Sequence, residues 1–250
     1  MKSFIISLFT ILALTSCKNE PQQLVKIEGK LLPIDQNIKP VKEINDFIEP
    51  YKQKVAAEMN TVLSYTAIDL VRTDSELEST LGNLMADLCY QRSNPVFNSR
   101  TTKNIDFAMF NYGGIRAGIT KGDVKMENAF NLMPFENGLV AVELTADKIK
   151  ELVAYLIKSN KAHPVSKNFN LAITKNGYSL KINNKPLQND KTYFVLTSDY
   201  LQNGGDSMNF FKNPVSITNI DYKLRNAIID YFKETDTLKT SLDGRFRVEK

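Results

Sequence analysis

Hydrophobic positions along this chain recur with changing period, and each change of period marks a new element. From Ile44 to Met59 the spacing predicts a helix, and Val62 to Val71, rich in β-branched and aromatic residues, predicts a strand. Ser75 with Glu78 three residues on reads as a capping box, behind which Leu77, Leu81, Leu84, Met85 and Leu88 keep helical spacing. Ile105 to Phe110 is a short apolar strand and Leu139 to Leu144 another, after which Ile149, Leu152, Val153, Leu156 and Ile157 lay one apolar stripe along a helix. A β-meander starts at Leu171, turned by Asn176-Gly177 and Asn183-Asn184, and leads to a long buried strand from Tyr193 to Leu201. The last helix is expected from Asp221 to about Phe232, with Leu224, Ala227, Ile228 and Tyr231 on one face. Strands and helices mixed with antiparallel hairpins predict an α/β (α+β mixed) domain and exclude an all-helical or sandwich fold, without fixing the strand order.

The first apolar run behaves differently. Phe4 to Leu14, behind Lys2, is too short to span a bilayer comfortably and reads as a secretory signal. It ends in Leu14-Thr15-Ser16-Cys17, a small residue before a cysteine as in a bacterial lipobox, so residues 1–17 are expected to form a lipoprotein signal with Cys17 acylated. Several acyl methylenes at about 0.8 kcal/mol each would then hold the chain on a membrane surface. Residues 18–44 are polar, carry Pro21, Pro33 and Pro40 and show little periodicity, which predicts a flexible tether; 45–250 is left as one folded domain. The expected setting is a bacterial cell envelope membrane, on its periplasmic or cell-surface face.

Composition narrows the classes further. With 42% hydrophobic residues the chain can bury a substantial core, and a net charge of +4, scattered along its length, argues against nucleic acid as a partner. Once Cys17 is used, Cys89 stands alone, so no intrachain disulfide can form, and its place between Leu88 and Tyr90 is that of a small buried hydrophobe. His163, the lone histidine, precedes Pro164 in a polar stretch and reads as a surface residue.

Candidate chemistry lies in two glycine pairs, each directly after an apolar strand: Asn111-Tyr112-Gly113-Gly114-Ile115-Arg116-Ala117-Gly118 and Asn203-Gly204-Gly205-Asp206. Glycine lets backbone N–H groups approach a ligand with no Cβ in the way, and loops at strand carboxyl ends commonly hold ligands. Gly113 to Gly118 has P-loop spacing, but Ile119 stands where the phosphate lysine is needed, and the dinucleotide fingerprint fails too. Arg116 offers a planar fork of donors to a phosphate or carboxylate. Phe135, between Pro134 and the Glu136-Asn137-Gly138 turn, and Tyr200, six residues before Asp206, are aromatics at loop positions. A tight turn explains each glycine pair without a ligand, and core packing explains each ring.

Taken together and in order, Leu81-Gly82-Asn83-Leu84, Asn111-Tyr112-Gly113-Gly114-Ile115-Arg116, Pro134-Phe135-Glu136-Asn137 and Tyr200-Leu201-Gln202-Asn203-Gly204-Gly205-Asp206 resemble the C-terminal domain of 5′-nucleotidases, from about Tyr65 to Phe232. The resemblance implies a layered fold with mixed sheets flanked by helices and a nucleoside or nucleotide ligand, adenosine- or AMP-like, whose base is sandwiched between Phe135 and Tyr200. It places Asp206 on the ribose hydroxyls, Asn111 on the base or ribose, a Gly113 backbone contact on the ligand, and Arg116 toward the phosphate. Tyr200 stands where the family usually has phenylalanine, which keeps the stacking face and adds a hydroxyl expected to be neutral. Near Leu77 the family tends to carry a phosphate-facing arginine, a loss that Arg116 or Arg72 is expected to cover in part.

Hydrolysis in that family rests on a two-metal site in another domain, built from Asp-x-His and Gly-Asn-His motifs. This sequence has one histidine and neither motif, so it holds no cofactor of its own. The resemblance therefore implies the recognition part of a split 5′-nucleotidase, whose catalytic residues and divalent metal ions lie in a separate metallophosphatase polypeptide. A stand-alone nucleoside- or nucleotide-binding lipoprotein is the alternative.

Overall fold

The computed structural model describes residues 24–249. The expected signal segment with Cys17, and the first residues of the expected tether, lie outside the described residues. The chain divides into two units, 1–48 and 49–250. In the first, residues 24–41 are exposed and form neither helix nor strand, and helix α1 (Lys42–Met59) begins at its end and buries no side chain. Among the described residues no helix is long and apolar enough to cross a membrane.

The second unit runs β1 (Val62–Thr66), α2 (Thr80–Thr101), β2 (Phe107–Ala108), β3 (Gly122–Lys125), α3 (Met126–Leu132), β4 (Gly138–Thr145), α4 (Ala146–Ser159), β5 (Phe169–Thr174), β6 (Gly177–Ile182), β7 (Lys185–Pro186), β8 (Thr192–Ser198), α5 (Asp199–Gln202), β9 (Ser216–Lys223), α6 (Leu224–Glu234), β10 (Thr237–Leu238) and β11 (Phe246–Val248). Its strands form three sheets in the orders β10-β1-β3, β11-β5-β6-β7 and β2-β8-β4-β9, each mixing parallel and antiparallel pairs. Fold class and flanking helices are therefore as the sequence predicts.

The third sheet positions everything that follows. Strand β4 is buried along Leu139-Val140-Ala141-Val142, because α4 lays Ile149, Leu152, Val153 and Leu156 into the same core. Each such side chain, fully buried, contributes at most about 1.5–3 kcal/mol. Strands β2 and β8 run parallel, with Ala108 opposite Leu196, while β4 runs antiparallel to β8 with Leu139 opposite Ser198. The carboxyl ends of β2 and β8 and the amino end of β4 thus meet at one end of the sheet. Strand β9 ends there too, Lys223 opposite Gly138, and feeds α6.

Several boundaries differ from the sequence reading. The Ser75/Glu78 pair is not a capping box: Ser79 caps α2 by accepting from Gly82 N at 3.0 Å, while Asp74 accepts from Thr80 N at 3.1 Å. Glu78 is buried and accepts from Asn83 Nδ2, Asp243 N and Gly244 N, so it anchors the C-terminal segment instead. The strand expected through Val71 stops at Thr66, whose hydroxyl donates to the Ile68 carbonyl; Leu70 pairs only through a single bridge to Ile119. Tyr193 to Leu201 is not one strand, since the Ser198 hydroxyl caps Leu201 N and starts α5. The last helix begins at Leu224 because β9 runs to Lys223. Cys89 is buried, and burial pushes its thiol well above the usual range.

Candidate functional site

Three loops converge at the meeting end of the third sheet. The first leaves β2 through Phe110, whose N–H donates to the Pro164 carbonyl, and then turns as a 3-10 helix over Tyr112–Gly114. At Gly114 a Cβ would stand 2.7 Å from Asn111 Oδ1, so any side chain there displaces the Asn111 amide from its place in the cleft. Arg72 staples the turn from below: Nη1 donates to the carbonyls of Tyr112 (3.1 Å) and Ile115 (2.6 Å), with its guanidinium 4.4 Å from the Tyr112 ring centre. Arg116 is tied at its backbone N–H to the Leu132 carbonyl, and its guanidinium lies 5.8 Å from the Phe135 ring centre.

The second loop follows α5. Gly204 has φ +88°, and Asp206 and Ser207 also sit in the left-handed region, at φ 51° and 61°. This coil folds the Asp206 carboxylate back toward Tyr200, whose hydroxyl donates to Oδ1 at 3.0 Å, while Asn111 Nδ2 donates to Oδ2 at 2.6 Å. Both oxygens are oriented by protein donors and keep further lone pairs for a ligand. The Tyr200 hydroxyl is therefore not idle. Behind the loop, Tyr155 of α4 donates to the Asp206 carbonyl at 3.0 Å, and burial raises its phenol above the ordinary value.

The third loop is Met133 to Asn137, just before β4. Arg225, the second residue of α6, organises it: Nη1 donates to the carbonyls of Met133 (3.3 Å), Pro134 (3.1 Å) and Phe135 (3.4 Å), Nη2 pairs with Glu136, and the guanidinium lies 4.4 Å from the Phe130 ring centre. With its backbone so held, Phe135 projects outward at 42% exposure and Tyr200 at 46%.

All six residues singled out from the sequence, Asn111, Gly113, Arg116, Phe135, Tyr200 and Asp206, line one open cleft of about 260 Å³, joined by Gly114 and Asn137. The cleft combines two aromatic faces with one guanidinium and one carboxylate, which suits a flat, hydroxyl-bearing ligand with an anionic end. Leu77 is core, 3% exposed, as its helical spacing predicts. Two expectations are corrected. Arg72 spends its guanidinium on loop carbonyls and does not line the cleft. His163 is not a surface residue either: it is 4% exposed, since its ring is packed between the first loop and Tyr155, and burial pushes its imidazole down to about 4. Arg225, Tyr155 and His163 gave no signal as site residues, and Arg72 none for its actual role, because each acts on backbone atoms brought near only by the fold.

Three loops at one sheet end around an aromatic and carboxylate cleft define an α/β domain with a candidate small-molecule cleft. The chain belongs to the 5′-nucleotidase C-terminal domain family, whose pattern matches residues 56–213. Among curated proteins it is 28% identical over 245 residues to the trifunctional nucleotide phosphoesterase protein YfkN of Bacillus subtilis, covering 87% of this chain and 15% of that one. The cell wall protein Lmo0130 of Listeria monocytogenes is 25% identical over 231 residues, covering 83% and 29%. A solved structure, the 5′-nucleotidase precursor from Thermus thermophilus, shares the fold with a TM-score of 0.66 at 22% identity, covering 82% of this chain and 42% of that one. The chain spans less than half the length of these relatives.

Proposed function

We propose that this chain is the nucleoside- and nucleotide-recognition component of a 5′-nucleotidase activity. The base stacks between Phe135 and Tyr200, Asp206 accepts from the ribose hydroxyls, Asn111 serves the base or ribose, the Gly113 backbone meets the ligand and Arg116 faces the phosphate. Stacking on each ring contributes about 1–3 kcal/mol and tolerates different bases. One observation carries the reading: two half-exposed aromatic rings from separate loops line the same cleft as a carboxylate whose two oxygens are already oriented.

We place the divalent metal ions of the hydrolytic step outside this chain. Its sequence has a single histidine, and among the described residues no group of three or more His, Cys, Asp or Glu could hold a metal ion. The hydrolytic step is accordingly assigned to a separate metallophosphatase polypeptide, with both held at one envelope membrane, this chain by acylated Cys17. Shared anchoring raises effective concentration as a covalent linker does. The test measures phosphate release from AMP with Mn²⁺ by each chain alone and by both. Rates that rise only when both are present support the split enzyme; equal rates with and without this chain contradict it and leave a stand-alone binding protein.

A further inference from the structure

His163 is the sole histidine of the chain, and nucleotide recognition as proposed gives it no role. Its Nδ1 accepts from the Tyr112 backbone N–H at 3.2 Å, and its ring packs on Tyr155 at 5.4 Å between centres. A neutral imidazole that accepts at Nδ1 carries its proton on Nε2, so the contact selects one tautomer. Tyr155 in turn donates to the Asp206 carbonyl. One packed pair of tilted rings therefore reaches both glycine loops from behind, while the Asn111 to Asp206 hydrogen bond joins them on the cleft side.

We infer that His163 is a positioning residue for the cleft: its unprotonated Nδ1, with the tilted Tyr155 ring packed against its own, holds the Tyr112–Gly114 turn against the Gly205–Ser207 turn at the spacing a ligand needs. The functional consequence rests on the nucleotide reading; the brace itself does not. The surroundings keep the acceptor available. Burial is the dominant influence on the ring and favours the neutral form; the Asp206 carboxylate and the Phe110 carbonyl favour the charged form, Lys161 opposes it, and the Tyr155 phenol is uncharged. Protonation would turn Nδ1 into a donor facing the Tyr112 N–H, which breaks the brace.

A single histidine makes the test direct. In ¹⁵N-labelled protein the long-range imidazole correlations belong to His163 alone, and they are expected to show a protonated Nε2, a bare Nδ1 and a Tyr112 amide that shifts as the ring titrates. Adenosine titrations should then give His163→Asn, whose side-chain oxygen replaces Nδ1 as acceptor, an affinity within about twofold of the parent. His163→Leu should bind about five- to tenfold more weakly, the loss of one net hydrogen bond. A proton on Nδ1, parent-like binding by His163→Leu, or equal losses in both variants overturns the inference; should His163→Leu not fold, the tautomer measurement decides. A parent that ignores adenosine while Nδ1 still accepts from Tyr112 rejects the nucleotide reading and upholds the brace.

Discussion

At Gly205 a Cβ would overlap the Tyr200 ring, so the second glycine of this pair serves an aromatic side chain of the same protein. Overpacking of this kind costs about 1–3 kcal/mol. Because the ring is half-exposed, the cheapest relief is for it to swing away, so Gly205→Ala is expected to weaken adenosine binding about tenfold while the melting temperature moves by only a few degrees. Calorimetry with adenosine checks this, and an unchanged affinity would mean that the ring does not stack on ligand. A second prediction concerns His163, neutral in the folded state down to about pH 4 but titrating near 6.5 when unfolded. Between those values the unfolded chain binds more protons, so stability falls as pH drops from 6.5 to about 4, by on the order of 3 kcal/mol at most. Thermal melts of the parent against His163→Asn should diverge in that window and run parallel above it. Ala162, Pro164 and Val165 beside His163 are buried with it, but the polar residues on either side of this short stretch masked that signal, and the ring owes its environment to Tyr155 and to the loop after β2.

Among the elements, α6 has the least obvious influence on the cleft. Its apolar stripe was legible from Leu224, Ala227 and Ile228, and those residues are buried as expected. Arg225 beside them gave no signal, because its partners are the carbonyls of a loop about ninety residues earlier. A lysine offers one ammonium where the guanidinium serves three carbonyls and stacks on Phe130. Arg225→Lys is therefore expected to lose about tenfold in adenosine affinity with helical circular dichroism intact, whereas Glu136→Gln, at an exposed partner, should cost little. Equal effects of the two substitutions would shift the emphasis from the carbonyls to the ion pair. The edge strand β9 escaped the sequence reading for a related reason: its residues are mostly exposed, so apolar periodicity is weak, and its pairing with β4 is a long-range matter.

Across the whole molecule, local pattern sufficed for fold class and core stripes and motif order picked out six of the eight residues that line the cleft, whereas strand order did not emerge, since it depends on contacts between distant segments. The C-terminal segment illustrates the gap. Arg245, 4% exposed, bonds both oxygens of Asp87 on α2 at 3.0 Å, both oxygens of Asp243 and the Val165 carbonyl, and it holds the Asp243 carboxyl below its usual range. Breaking a buried pair costs about 3–5 kcal/mol, less here because the two carboxylates are partly exposed. Arg245→Met is expected to lower the denaturation midpoint by the equivalent of about 2–3 kcal/mol in urea titrations, with adenosine affinity at 25 °C unchanged, since the cluster lies outside the cleft.

The central claim, that a nucleoside sits between Phe135 and Tyr200, is tested most directly by titrating adenosine into the parent and into Phe135→Ala and Tyr200→Ala. Binding by the parent, with a five- to hundredfold loss in each variant at unchanged melting temperature, is the predicted result, as about 1–3 kcal/mol of stacking per ring requires. A parent that does not bind adenosine, or variants that bind it as well as the parent, would contradict the account.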